Sequence, residues 1–159
     1  MKPIKRIGVL VVIAIGLLTP AVFAEWKETE ISRDVPLPPP EKIEIVPPDP
    51  SLPPEIAAFS GRWEGIWNES GRKAVIIVEK IDSKEAQIIH GYGRARAIDK
   101  PNWGRLKGKI IGGNRIDVPL YPTGKHFSEM NKDLKTISGV SEFPRQMVPS
   151  TITMHKVED

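Results

Sequence analysis

The alternation of apolar and polar residues that begins at Phe59 constrains the fold more than any other feature of this chain. In the stretch FSGRWEGIW, Phe59, Trp63 and Trp67 fall on one side of an extended backbone, with Gly61 and Gly65 between them. Further short apolar runs follow, separated by clusters of Gly, Asn, Asp, Ser or Pro. No long amphipathic helical pattern interrupts them. The pattern therefore predicts an all-β fold.

The strands predicted after the first one are short and regularly spaced. In chain order they cover residues 73–80, 85–92, 105–111, 115–120, 125–130, 134–140 and 151–157. The run KAVIIVEK is rich in β-branched residues, and Gly112-Gly113-Asn114 is a hairpin signal. Residues 93–104 and 141–150 are predicted loops.

Short connections between about eight strands favour an up-and-down meander. Closing such a sheet into a barrel removes the two exposed edges that an open sheet would carry. We therefore predict an eight-stranded antiparallel up-and-down barrel, and the alternative is a β-sandwich.

The first 24 residues have the pattern of a secretory signal peptide. Lys2, Lys5 and Arg6 precede the apolar run 7–18, and small residues end the segment at Ala24. The alternative is a membrane anchor, for which the run is short and ends near a proline. We expect cleavage after Ala24, no membrane span after cleavage, and a periplasmic or secreted bacterial protein. The chain has no cysteine, so its stability must come from its core.

Charge divides the rest of the chain into an acidic arm and a basic domain. Residues 25–58 carry eight acids and three bases, whereas residues 59–159 carry twelve acids and seventeen bases. The arm can fold back on the domain or remain a solvated tether, and the second interpretation is the simpler one. The bases do not reach the density of a nucleic-acid-binding patch, so no nucleic acid partner is expected.

Proline dominates the arm. Nine of the nineteen residues from 36 to 54 are proline, which is incompatible with a helix interior or a central strand. We therefore predict that residues 25–54 form a disordered, largely polyproline II tether. Residues 53–58 can form one helical turn with proline at its start, and residues 55–159 are predicted to be the barrel domain.

The two tryptophans four residues apart are predicted to point into the barrel. Trp63 and Trp67 lie on the same face of the first strand, and we attribute Gly65 to the space that two indoles on one face require. Gly61 is expected to let the strand bend. Trp63 is interpreted as a core residue, whereas Trp67 lies nearer the turn at Asn68 and is a candidate for lining a binding site.

The sequence Gly61-Arg62-Trp63 resembles the glycine-x-tryptophan motif on the first strand of lipocalin-like barrels of the calycin superfamily. With Gly65 and Trp67 added, and VIIVEKI following, the pattern is also similar to small exported bacterial domains that carry GxWxGxW. The resemblance covers roughly residues 55–157.

In lipocalin-like barrels the motif tryptophan closes one end, and an arginine from near the last strand packs across it. The resemblance therefore implies a barrel that can hold a small ligand. Arg145 is the last arginine of this chain but precedes the last predicted strand, whereas Lys156 lies within that strand.

The candidate ligand-binding residues are aromatic and basic, and they lie near one end of the predicted barrel. They are Trp67, Tyr92, Arg94, Arg96 and Trp103. Aromatic rings beside cations at a barrel mouth can hold the apolar body and the acidic group of a ligand. The alternative interpretation is an exposed loop anchored by one indole.

No catalytic or metal-binding pattern is recognisable, so we predict neither an enzyme nor a metal or cofactor site. His90, His126 and His155 lack metal-ligand spacing, although neighbouring strands can bring His90 and His126 together. Glu64 and Glu79 are expected to form salt bridges facing solvent. No nucleophile motif is present.

Two functions are favoured, and a third, an enzyme or an accessory domain split from a hydrolase, has the least support. The first is an exported, non-catalytic barrel that binds a small apolar or amphipathic molecule in its interior or mouth. The alternative is a module that binds an envelope protein through its arm and basic surface, with a filled interior. The two differ in whether the barrel contains a cavity.

Overall fold

The computed structural model describes residues 27–97, 99–120, 123–144 and 146–158. Its strands are β1 (Gly61–Trp67), β2 (Lys73–Ile81), β3 (Glu85–Tyr92), β4 (Asn102–Ile111), β5 (Arg115–Leu120), β6 (Gly124–Met130), β7 (Thr136–Glu142) and β8 (Ser150–Val157). A short helix, α1 (Pro54–Ala57), precedes β1, and two 3₁₀ turns precede α1, at Ser32–Asp34 and Pro40–Lys42. The helical turn after the proline-rich arm is therefore present.

The eight strands form one closed antiparallel barrel in which each strand pairs with its neighbours in sequence. β1 closes the sheet by pairing with β8, and Trp63 lies opposite Lys156. This confirms the predicted up-and-down barrel and excludes the sandwich. β4 begins at Asn102, three residues earlier than predicted, so Trp103 belongs to a strand and not to a loop.

Residues alternate between the barrel interior and its outer face, and one bulge in β2 changes the phase. Ala74, Ile76 and Val78 point inward, and the register with β3 then shifts between Val78 and Lys80. The shift leaves Lys80 exposed on the outer side, next to outward-facing Glu79, and returns Ile81 to the interior. The core therefore runs the full length of β2.

The arm lies on the outer face of the barrel, which differs from the predicted disordered tether. Val35 packs against the outward side chains of Val75, Ile77 and Ile89. The backbone amide of Val46 donates a hydrogen bond of 2.7 Å to the carbonyl oxygen of Glu79. The chain thus runs along the barrel surface as a cover.

The physical reason for this difference is that β2 is apolar on both faces. The run AVIIV places alternate residues inside the barrel and outside it, and the outer ones would be exposed without a cover. Apolar residues spaced along the arm meet this outer surface: Ile31, Val35, Leu37, Ile43 and Ile45. Proline prevents the arm from forming helix or strand but does not prevent it from packing.

Polar contacts fix the start of the arm. The guanidinium of Arg62 donates to the carbonyl oxygen of Lys27 at 2.8 Å, and the hydroxyl of Thr29 donates to Glu64 at 2.6 Å. Arg62 also pairs with Glu64, and both residues are buried. The expectation that Glu64 faces solvent was therefore wrong, because the arm covers this part of β1.

The predicted signal peptide, residues 1–24, lies outside the described residues, as does Arg145. Among the helices of the described ranges, none is long and apolar enough to span a membrane.

A candidate ligand cavity in the open half of the barrel

The closed end of the barrel is filled around Trp63. Its indole is completely buried, and its Nε1 donates a hydrogen bond of 2.8 Å to the carbonyl oxygen of Phe59. The ammonium of Lys156 lies 5.4 Å from the centre of the indole and donates to the carbonyl oxygen of Ala58. Lys156 thus holds the position across the tryptophan that the resemblance assigned to an arginine.

Gly65 has a different role from the one predicted. A Cβ atom at this position would lie 2.5 Å from the carbonyl oxygen of Thr153 and 3.0 Å from Cγ of Met154. The close approach of β8, and not the space required by two indoles, therefore requires glycine here. Gly61 has a φ of 107°, which fits its predicted role in the bend that begins β1.

A layer of three rings crosses the middle of the barrel. His126 on β6 stacks on His90 on β3, with centroids 5.9 Å apart and ring planes 14° apart. Trp67 packs against His126 in a T-shaped arrangement, with centroids 5.7 Å apart and ring planes 75° apart. The strands β3 and β6 are not neighbours, so the two imidazoles meet across the lumen.

The two histidines of this layer have different hydrogen bonding. His126 Nδ1 lies 3.0 Å from the hydroxyl of Ser141, and its Nε2 lies 2.9 Å from the hydroxyl of Ser128. His90 has no such partner among the described residues, and its Nε2 is shielded from solvent. One imidazole is therefore satisfied by the protein and the other is not.

Burial lowers the pKa of both histidines, so both imidazoles are neutral at pH 7. Desolvation lowers the pKa of His90 to about 4. Desolvation, with a smaller repulsion from His90, lowers the pKa of His126 to about 3. The layer is therefore polar but uncharged.

Above this layer the barrel contains a cavity of about 440 Å³. Its apolar wall is formed by Trp67, Tyr92, Leu106, Leu120 and Phe143. Its polar lining residues are Ser70, Arg72, His90, Asn102, Ser141 and Ser150. The volume lies within the range of small-molecule sites, and so does the mixture of an apolar wall with a few polar groups.

Two of the five predicted site residues line this cavity with their rings, namely Trp67 and Tyr92. Trp103 also borders the cavity, but its indole lies on the outer face of the barrel and packs against the apolar cluster there. Trp103 faces outward because it pairs with outward-facing Gly91. Arg96 is exposed and pairs with Asp99 at 3.1 Å. Arg94 lines a separate surface pocket with Asp34 and Lys73.

Among the described residues, the cation at the cavity is Arg72, which was not one of the predicted site residues. Its guanidinium lies 5.4 Å from the ring centre of Tyr92 and pairs with Asp99 at 2.8 Å. The hydrogen bond from Arg72 holds the pKa of Asp99 far below its usual range. Arg72 precedes β2 in a turn, and its inward direction follows from closure of the barrel, which no local sequence pattern shows.

The lining residues on β4, β7 and β8 were also missed. Gly104, Ser141 and Ser150 are small residues that point inward at the mouth end of their strands. Their small size was the sequence signal for a cavity, because small inward residues leave space inside a barrel. Without the register between strands, these three positions cannot be recognised as one group.

Ser141, His126 and Ser128 are arranged like the nucleophile, the base and the orienting group of a catalytic triad. They differ from such a triad in two chemical properties. A pKa near 3 makes His126 a weak proton acceptor at neutral pH. In place of the usual carboxylate, a serine hydroxyl contacts its second nitrogen. Within the described ranges, no group of three or more acidic or histidine side chains is placed to hold a metal.

Glu79 is also not a free surface carboxylate. It is nearly buried beside the arm, and Arg105 binds it with distances of 3.0 and 3.1 Å. The same arginine donates to the carbonyl oxygen of Lys42 in the arm. This ion pair therefore fixes the arm to β4, and it lies on the opposite face of the sheet from the cavity.

The fold and the cavity define a small closed β-barrel whose interior is open at one end. No protein-family model matches the chain, and no curated protein matches it. Among solved structures, it is similar to a redesigned beta barrel, mFAP1, bound to DFHBI, with 12% sequence identity and a TM-score of 0.46. The match covers 66% of this chain and 100% of that one.

Proposed function

We propose that this protein is an exported, non-catalytic barrel that binds a small apolar or amphipathic molecule in the cavity of its open half. The observation that carries the proposal is the cavity of about 440 Å³ above the layer formed by Trp67, His90 and His126. The interior of an eight-stranded barrel can instead be filled completely by its own side chains, and here only the closed half is filled in this way.

The lining supports an amphipathic ligand. Five apolar or aromatic side chains form the wall, and burying the body of a ligand against them supplies the favourable free energy. Arg72 and Asn102 lie toward the mouth, where a polar end of the ligand can remain near water. The charge of Arg72 is already balanced by Asp99, so a strongly charged ligand is not required.

The export part of the proposal rests on residues 1–24, where basic residues precede an apolar run that ends at small residues. The periplasm of a bacterium, or its exterior, is the compartment that this pattern favours.

The alternative, an envelope protein-interaction module, has less support. It requires a filled interior and an arm that is available to a partner. The arm instead contributes Val35 and other apolar residues to the outer cluster of its own barrel.

Native mass spectrometry of the full chain, exported to a bacterial periplasm and purified without denaturation, tests the proposal. We expect a stoichiometric adduct that is lost on unfolding, or one that forms after incubation with envelope lipid extract. A bare mass under both conditions would contradict the proposal.

Gly104 offers a variant that closes the cavity with little strain. It faces the cavity, and no atom outside its chain neighbours lies within 4 Å of a Cβ added there. We expect Gly104→Leu to remove the adduct. The matched control is Lys107→Leu, which adds the same side chain to the same strand at an exposed outward position, and it should keep the adduct.

A further inference from the structure

The floor of the cavity contains an unpartnered histidine. His90 lies on β3 opposite Gly104, and the absent side chain of Gly104 leaves its ring open to the cavity. Its described contacts are with other rings, at 5.9 Å from His126 and 6.1 Å from Tyr92. Neither of these contacts is a hydrogen bond.

The lack of a hydrogen-bond partner is particular to His90 and is not shared by His126, the other histidine of the layer. The barrel supplies a serine hydroxyl to each ring nitrogen of His126. For His90, in contrast, neither ring nitrogen has a hydrogen-bond partner among the described residues: Nε2 is shielded from solvent, whereas Nδ1 is not shielded and is the nitrogen that a ligand in the cavity can reach. A polar atom that loses its water to a ligand without gaining a partner is destabilising, so Nδ1 is a place where a ligand can supply the hydrogen bond that the protein does not.

The charges around the cavity decide which ligand group fits. Among the described residues that line it there is no carboxylate, and their one cation, Arg72, pairs with Asp99 at the mouth. A charged group placed at the floor would lose its hydration without gaining a counter-charge. An uncharged hydroxyl or amide would lose little and would gain the hydrogen bond.

We propose that His90 is a specificity-determining residue that hydrogen-bonds an uncharged polar group, such as a hydroxyl, at the deep end of a compact, mainly apolar ligand. This inference rests on the proposed function, since it requires the cavity to be occupied. A neutral imidazole has one donor and one acceptor nitrogen, so a hydroxyl can satisfy it in either direction. The ligand class is therefore an apolar alcohol or phenol that enters with its hydroxyl first.

Three probes of similar shape test this class. They are 1-naphthol, 1-methylnaphthalene, which replaces the hydroxyl by a methyl group, and 1-naphthoate, which carries an anion. Binding to the full exported chain is followed by titration calorimetry. We expect 1-naphthol to bind about tenfold more tightly than 1-methylnaphthalene, the effect of one hydrogen bond in a buried site.

Two variants assign the preference to His90. His90→Phe keeps an aromatic ring at the floor and removes both nitrogens, so the preference for 1-naphthol should disappear while 1-methylnaphthalene still binds. His155→Phe, on the exposed outer face of β8, is the matched control and should behave as the wild type. If His90→Phe fails to fold, the ¹⁵N chemical shifts of His90 in the wild-type protein should still move on addition of 1-naphthol and not of 1-methylnaphthalene.

The outcomes separate the two proposals. If the wild-type chain binds none of the probes, cavity binding fails for this class, and the inference about His90 fails with it. Equal binding of 1-naphthol and 1-methylnaphthalene leaves cavity binding intact and overturns the role of His90. Tighter binding of 1-naphthoate that is lost in His90→Phe would show an anion at the floor and would also overturn it.

Discussion

The two halves of the barrel interior have the same strands but different contents. Below the layer of Trp67, His90 and His126, the remaining space is about 10 Å³, about the minimum that one water molecule requires. Above that layer the cavity measures about 440 Å³. Since the backbone is continuous through both halves, the sizes of the inward side chains decide which half is solid.

The inward residues differ in the expected way. In the closed half they are large and apolar, and include Trp63, Ile76 and Ile137. In the open half, the inward residues include the small residues Gly104, Ser141 and Ser150. The lesson is that one strand can serve stability at one end and binding at the other.

Truncating the two tryptophans should give the largest contrast between the halves. Trp63→Ala removes a completely buried side chain from a packed region and should lower the free energy of unfolding by about 3–5 kcal/mol. Trp67→Ala borders space that is already open, so we expect less than half of that loss, measured by urea denaturation. Equal losses would mean that the halves do not differ in packing.

The histidine layer between the halves should make stability depend on pH. Because burial lowers the pKa of His90 to about 4 and of His126 to about 3, the unfolded chain binds more protons than the folded one below pH 6.5. Stability should therefore be full above pH 6.5 and should fall as the pH decreases, by about 1–2 kcal/mol for each histidine between pH 7 and pH 5.

Urea midpoints across this pH range measure the effect, and His90→Phe provides the control because it removes one of the two groups. Its pH dependence should be shallower than that of the wild type. A flat profile in the wild-type protein would mean that neither histidine is buried as a neutral ring.

A change on the outer face should leave the contrast between the halves intact. A Cβ at Gly91 would lie 2.8 Å from Val35 and 2.9 Å from Leu37, so Gly91→Val should push the arm away from β3 and lower stability by about 1–3 kcal/mol. Limited proteolysis should then cut residues 27–53 faster. Binding of 1-naphthol should not change, and a parallel loss of binding would show that the arm supports the cavity.

Filling the open half should have the smallest effect on stability. Gly104→Val places its side chain in empty space on a strand, so the free energy of unfolding should stay within about 1 kcal/mol of the wild type or rise. It is also the matched glycine-to-valine control for Gly91→Val. A loss as large as that of Gly91→Val would show that no free space exists at this position.

The sequence predicted the barrel better than it predicted the site. Alternation along β1 and the β-branched run of β2 determine the strands, and short turns determine their order, so the topology followed from local patterns. Trp67 and Tyr92 were found because they are aromatic and lie at strand ends. Arg94, Arg96 and Trp103 were selected from the same neighbourhood, but the direction of Trp103 depends on where β4 begins, and that of Arg96 depends on its pairing with Asp99.

The rest depends on contacts between distant parts of the chain. Arg72 and His90 become site residues only through closure of the barrel, and His126 reaches His90 from a strand that is not its neighbour. Besides the opposite charges of arm and domain, the packed arm had one visible signal, the run AVIIV, which is too apolar for a strand with one face in water. Proline content alone pointed to a tether.

The measurement that tests the division of the interior most directly is the set of intermolecular NOEs from 1-naphthol to methyl groups of the full exported chain. We predict contacts to Leu106 and Leu120 in the open half and none to Ile116 or Ile137 in the closed half. Contacts to Ile116 or Ile137, or to the outer residues Val75 and Ile77 alone, would contradict this division of the interior.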